Sequence, residues 1–171
     1  MSSRQPEPWL RGPLPGIPAL LQPAVHALLM SMEDCEAAAT GLSQGQLWRE
    51  PGGAASVGFH LVHLAGSTDR LLTYARGEAL TAAQKAALVG ERTPGDPAPT
   101  ADDLLAAWRT GVDGAIAQLA ATPESALLDV RGVGRSQLPS NVLGLLFHAA
   151  EHASRHTGQV VTTAKIVRAL A

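Results

Sequence analysis

The chain has 171 residues, enough for one domain with its own core, and 46% hydrophobic against 16% charged residues excludes a disordered chain. With 13 Lys and Arg against 15 Asp and Glu the net charge is -2, so no cationic field exists for gripping phosphates and nucleic-acid binding is not expected. The single cysteine, Cys35, excludes an internal disulfide and a Cys-based zinc cluster, so any metal must use His or carboxylate ligands.

Aromatic residues are only 4% of an alanine-rich chain, which favours helices over a β-sandwich. Met1 to Gly16 is rich in Pro and Gly and is read as an extended arm over the surface. Glu7 and the early breakers give Met1 to Pro8 no resemblance to a secretory signal. The apolar stretch Ile17 to Met32 is too short, and too interrupted by Pro18, Pro23 and His26, to span a bilayer. A cytoplasmic protein without membrane partners is expected.

From Pro18, Leu21, Val25, Leu28, Leu29, Met32 and Cys35 recur at helical spacing, with Gly41 as a stop, predicting a first helix. Ser43 to Ala54 reads as a loop in which Trp48 covers a bundle end, and Ala55 to Ala75 as a second helix closed by Gly77. Thr81 to Val89 is a short helix inside a long crossover, and Thr93 to Pro99 is linker. Thr100, followed by Asp102 and Asp103, caps a third helix lined by Leu104, Leu105, Trp108, Val112, Ile116 and Leu119, ending near Thr122. Leu127 to Leu138 is a small hairpin or an irregular loop. Ser140 or Asn141 then caps the longest helix, running on through Val160 to Ile166 and Leu170. The expectation is an all-α four-helix bundle with a long crossover, forming a single domain over residues 17–171 behind an arm over residues 1–16.

Five of the six histidines fall in two helices: His60 and His63 in the second, and His148, His152 and His156 at four-residue steps in the last. Only His26 lies elsewhere. Four residues advance a helix by about 400°, so the last three form one slowly drifting stripe, and two neighbours of it can grip one ion. The third ligand would be His60 or His63 from the facing helix, leaving an open fourth position. The competing reading is that these imidazoles face solvent or are buried with ordinary hydrogen-bond partners. Leu145, Leu146, Phe147, Ala149, Ala150 and Ala153 surround them in sequence, where an unpartnered imidazole would be costly.

The stretches SVGFHLVHLAGSTDRLLTYARG (56–77) and FHAAEHASRHTGQVV (147–161), with the patterns HLAxS and HxxxHxGQ, resemble the two signature segments of the DinB/YfiT-like superfamily of metal-dependent enzymes. The resemblance extends over most of Ile17 to Leu170. It implies a four-helix bundle with one zinc or nickel ion on three histidines. By motif these fall on His63, which directly precedes Leu64 and Ala65, and on His152 and His156, the latter directly before Thr157, Gly158 and Gln159. His60, His148 and Gln159 are candidates for orienting a ligand from behind it. For Glu151 a surface or inter-helix hydrogen bond is preferred, for Arg70 a surface ion pair, and for Cys35 plain packing in the first helix.

The resemblance to bacillithiol and mycothiol transferases and to mycothiol-dependent maleylpyruvate isomerase implies activation of a low-molecular-weight thiol that attacks a small-molecule electrophile. It also implies a homodimer. Metal-dependent hydrolysis is the close alternative, and a non-catalytic metal-binding bundle of the stress response is an alternative of another class.

Overall fold

A computed structural model describes residues 5–170. Six helices and one hairpin follow in chain order: α1 (Gln22–Ala39), α2 (Gln44–Leu47), α3 (Val57–Ala75), α4 (Ala82–Gly90), α5 (Ala101–Ala121), β1 (Val130–Val133), β2 (Leu138–Asn141) and α6 (Val142–Ala169). The four long helices α1, α3, α5 and α6 form the bundle, with packing running from α1 to α6, to α3, to α5 and back to α1. Trp108, Leu21, Leu28, Leu61, Leu64, Leu119 and Leu146 are fully buried where these faces meet. At about 1.5–3 kcal/mol for each large apolar side chain removed from water, this layer drives assembly.

Local chemistry sets the element ends. The Ser56 hydroxyl accepts the Phe59 N–H at the start of α3, Thr100 and Asp103 form a capping box on α5, and the Asn141 side chain accepts the Gly144 N–H to open α6. Two boundaries differ from the sequence reading. Ala19–Leu21 forms a 3-10 turn, and the α-helix begins only at Gln22, with Pro23 in its first turn where no amide is needed. The segment read as a loop around Trp48 contains the single helical turn α2, because Ser43 and Gln46 close a reciprocal capping box.

The described part of the arm is docked on α1. The His26 ring nitrogen Nε2 meets the Gly12 carbonyl at 3.0 Å, Arg11 forks onto Glu33, and Pro8 is buried. The hairpin pairs Val130 with Asn141 and Val133 with Leu138, delivering the chain into α6. Among the described residues no helix is long and apolar enough to cross a membrane.

Between α3 and α5 the chain makes its long crossover. None of the residues of α4 is buried. Polar contacts hold the segment instead: the Gln84 amide donates to Asp69 and to Thr73, both at 2.7 Å, and Trp48 Nε1 donates to the Pro99 carbonyl at 3.2 Å. Among the described residues from Gly77 to Pro99, Glu91 alone is buried.

Candidate metal centre

α3 and α6 lie side by side, and α6 presents the buried small residues Ala149, Ala150 and Ala153 along that stretch. Small side chains let the two backbones approach, so imidazoles one or two residues away reach across the gap. His63 from α3 and His152 and His156 from α6 are brought together, each half-buried, with one ring nitrogen of each within 4.8 Å of the others. Ring centroids stand 5.1 Å apart for His63 and His152, 4.5 Å for His63 and His156, and 4.5 Å for His152 and His156.

The remaining candidates divide. His60 is buried, 7% exposed, and its Nδ1 meets Nδ1 of His156 at 3.0 Å. It therefore stands directly behind one member of the cluster. His148 is exposed, with its ring centroid 5.5 Å from that of His152 and its Nδ1 3.2 Å from Glu151. Glu151 also pairs with Arg155 one turn on, a surface contact. Gln159 is exposed and forms no hydrogen bond with the cluster among the described residues. Cys35 is fully buried, with its sulfur 3.6 Å from Thr157 Oγ1.

Arg70 departs from the expected surface ion pair. It is buried, 8% exposed, and its Nη1 donates to Oε1 of Glu91 at 2.6 Å. The other oxygen of the same carboxylate accepts from Nδ1 of His63 at 2.7 Å. Glu91, 5% exposed, thus joins the crossover to the histidine cluster. Sequence reasoning missed it. A signal was present: an arginine two turns along the His63 face of an apolar helix needs a carboxylate once buried, and the crossover offers only Glu78, Glu91 and Asp96. Gly66 makes room for the pair, since a Cβ there would lie 2.6 Å from Glu91 Oε1 and 2.8 Å from Arg70 Nη1. Phe59 stacks on His63 with ring centroids 5.5 Å apart and planes 15° from parallel, and the Arg92 guanidinium caps Phe59 at 5.0 Å.

The cluster's proton arrangement fits a cation. With the Nδ1–H of His63 donated to Glu91, its Nε2 is a bare lone pair. The Nε2 of His152 lies 2.9 Å away and must carry the proton between them, which leaves Nδ1 of His152 as a bare acceptor. That atom is buried with no hydrogen-bond partner, an arrangement that costs about 1–3 kcal/mol. Burial holds His60 and His156 in the neutral form, with pKa values lowered to about 4, helped by the neighbouring imidazoles. His152 is lowered in the same way, by burial first and then by His63. Neutral imidazole is the form that ligates metal.

No curated protein matches the chain. Among solved structures it is similar to the crystal structure of a DinB-like protein from Bacillus cereus ATCC 10987, at 15% identity and a TM-score of 0.63, over 85% of this chain and 89% of the other. At that identity the likeness shows the bundle fold alone. A sequence profile of the DinB superfamily matches residues 27–160, a span that takes in the histidines of both helices, the crossover and most of the bundle, and the chain belongs to that superfamily.

Proposed function

We propose that the protein is a divalent-metal-dependent enzyme that transfers a low-molecular-weight thiol to a small electrophile, with zinc or nickel held by His63, His152 and His156. The observation that carries the reading is the convergence of three imidazole nitrogens, one per residue, within 4.8 Å. The bound cation would supply Lewis acidity, lowering the pKa of a thiol or of water at its open position to near neutrality.

The chain's own residues prepare that chemistry in three ways. Glu91 and His60 stand behind His63 and His156 and hold their rings from the far side. Phe59 stacks against His63 and restrains the tilt of its ring. Burial keeps His60, His152 and His156 neutral at physiological pH, so these imidazoles do not oppose a cation.

The sulfur nucleophile would come from a bound thiol. Cys35, the one cysteine, is fully buried and its thiol is pushed up to about 11 by burial, so it supplies no thiolate. Transfer forms a carbon–sulfur bond as the electrophile's leaving group departs with its electron pair, and the thiol proton passes to solvent.

The test is metal content by elemental analysis on tag-free protein, beside conjugation of monobromobimane to bacillithiol, mycothiol and glutathione. Wild type is compared with His63→Ala, His152→Ala and His156→Ala, each checked for folding. About one ion per chain and a thiol-dependent rate, both lost in all three variants, is the expected result. Stoichiometric metal without turnover of any thiol would leave a binding bundle or a hydrolase in place of the transferase. Wild-type protein that holds no metal and takes up no added zinc or nickel would sink the reading altogether.

A further inference from the structure

Glu91 is a buried acid on a segment that otherwise buries nothing, and its two oxygens are divided between Arg70 at 2.6 Å and Nδ1 of His63 at 2.7 Å. Its backbone lies just past the end of α4, outside the four long helices. The crossover's one buried side chain is therefore directed at a histidine of the cluster. Gly66, lying between His63 and Arg70 on α3, leaves the space that this carboxylate and guanidinium occupy.

We infer that Glu91 is a positioning residue that selects the tautomer of His63, and that Arg70 fixes which way Glu91 can act. The inference rests on the metal reading above. Arginine has donors only, so one carboxylate oxygen must face Arg70. The other oxygen also accepts only, and it obliges His63 to present Nδ1–H to it and to turn an unprotonated Nε2 toward His152 and His156. A carboxylate behind a metal-binding imidazole fixes the ring and raises the basicity of the free nitrogen. Gly66 makes room for the Arg70–Glu91 bridge, but that bridge alone would not need the second oxygen, which is the one on His63.

The Glu91→Gln variant separates these roles because an amide has one accepting and one donating end. Arg70 claims the amide oxygen, and the NH2 group is left facing His63 Nδ1. The stable partner for that NH2 is a bare Nδ1, so His63 moves its proton to Nε2 and loses the lone pair aimed at the cluster. In Glu91→Gln combined with Arg70→Met the amide is free to turn, its oxygen faces His63, and the Nδ1–H tautomer returns. The double variant also removes the buried arginine charge that the single variant leaves unpaired, so it keeps the question answerable if Glu91→Gln alone fails to fold.

The experiment uses the full chain. Imidazole 15N NMR of the metal-free proteins reads the His63 tautomer, with His63→Ala used to assign the signals. Competition with a chromophoric chelator reads the Zn(II) dissociation constant. We expect the Nδ1–H tautomer in wild type, the Nε2–H tautomer and about 10–100-fold weaker Zn(II) binding in Glu91→Gln, and recovery of both in the double variant. Glu91→Gln with the wild-type tautomer and a dissociation constant within threefold of wild type would overturn the inference while leaving the metal centre standing. A double variant that folds but recovers neither tautomer nor affinity would also overturn it. If wild type binds no Zn(II), or His63→Ala binds it equally well, the metal reading itself falls and the inference with it.

Discussion

Gly66 and Glu91 are fitted to each other so closely that a Cβ on the glycine would stand 2.6 Å from the glutamate's Oε1, nearer than van der Waals contact allows. The second clash, at 2.8 Å, is with Nη1 of Arg70. Both are tips of long side chains, so Gly66→Ala relieves the strain by swinging Glu91 and Arg70 aside rather than by parting the helices. Stability should fall by about 1–3 kcal/mol, as for other overpacked sites, while His63 loses its partner. Thermal unfolding with and without Zn(II) checks this. The variant should lose part of its metal-free Tm and most of the Tm gain that Zn(II) gives wild type. An unchanged Zn(II) shift would show that Glu91 does not need the space.

Trp48 is seated on α3 in a comparable way. A Cβ on Gly58 would lie 2.7 Å from the indole ring, and the indole Nε1 donates to the carbonyl of Pro99 at the end of the crossover. Here the neighbour is a rigid ring, so Gly58→Ala must expel it. The expected result is a destabilisation of about 1–3 kcal/mol. It should come with a red shift of the Trp48 emission, read in a background where Trp9 and Trp108 are replaced by Phe. Emission that stays blue, with an unchanged Tm, would show that the ring does not rest on the glycine.

These two glycines mark the boundary of what the sequence made legible. The helices were readable because apolar residues repeat at helical spacing from Leu21 to Cys35 and from Leu104 to Leu119, and the histidines because four-residue steps fix a shared face whatever lies opposite. Glu91 was hidden because its role depends on the path of a crossover with no periodic pattern, 28 residues from the histidine it meets. Arg70 was misread for the same reason: its partner is on that crossover and not on its own helix. Gln159, two turns beyond His152 on nearly the same face, is exposed, whereas Thr163 on that face is buried; what packs against each turn of a helix is not carried by spacing along it.

Cys35 offers a check on where the sulfur chemistry can reside. Its side chain is fully buried beside Ser31 and Thr157, whose hydroxyls lie 2.5 Å apart, and burial pushes its thiol up to about 11. At pH 8 the folded protein should therefore not react with a disulfide reagent on the timescale of minutes, and it should release one thiol per chain in denaturant. Rapid labelling of the native state would contradict the burial. It would also make a protein thiolate available, removing the argument that the nucleophile is supplied by a ligand.

The histidine cluster should make the metal-free protein acid-sensitive over a defined range. His60 and His156 have folded-state pKa values lowered from 6.5 to about 4, chiefly by burial and then by neighbouring imidazoles. Well above pH 6.5 both are neutral whether the chain is folded or not, and they contribute no pH dependence. Between about 6.5 and about 4 the unfolded chain binds protons that the folded chain refuses, so stability falls as pH falls, levelling off only below about 4. Denaturant unfolding of chelator-treated protein from pH 7.5 to 4.5 measures this. His60→Gln keeps a hydrogen-bonding group beside His156 but cannot titrate, and it should reduce the proton uptake on unfolding near pH 5 by about one. Equal uptake in both proteins would mean that His60 is already charged in the fold. In that case His60 would not be the neutral partner behind His156 that the fold's burial implies.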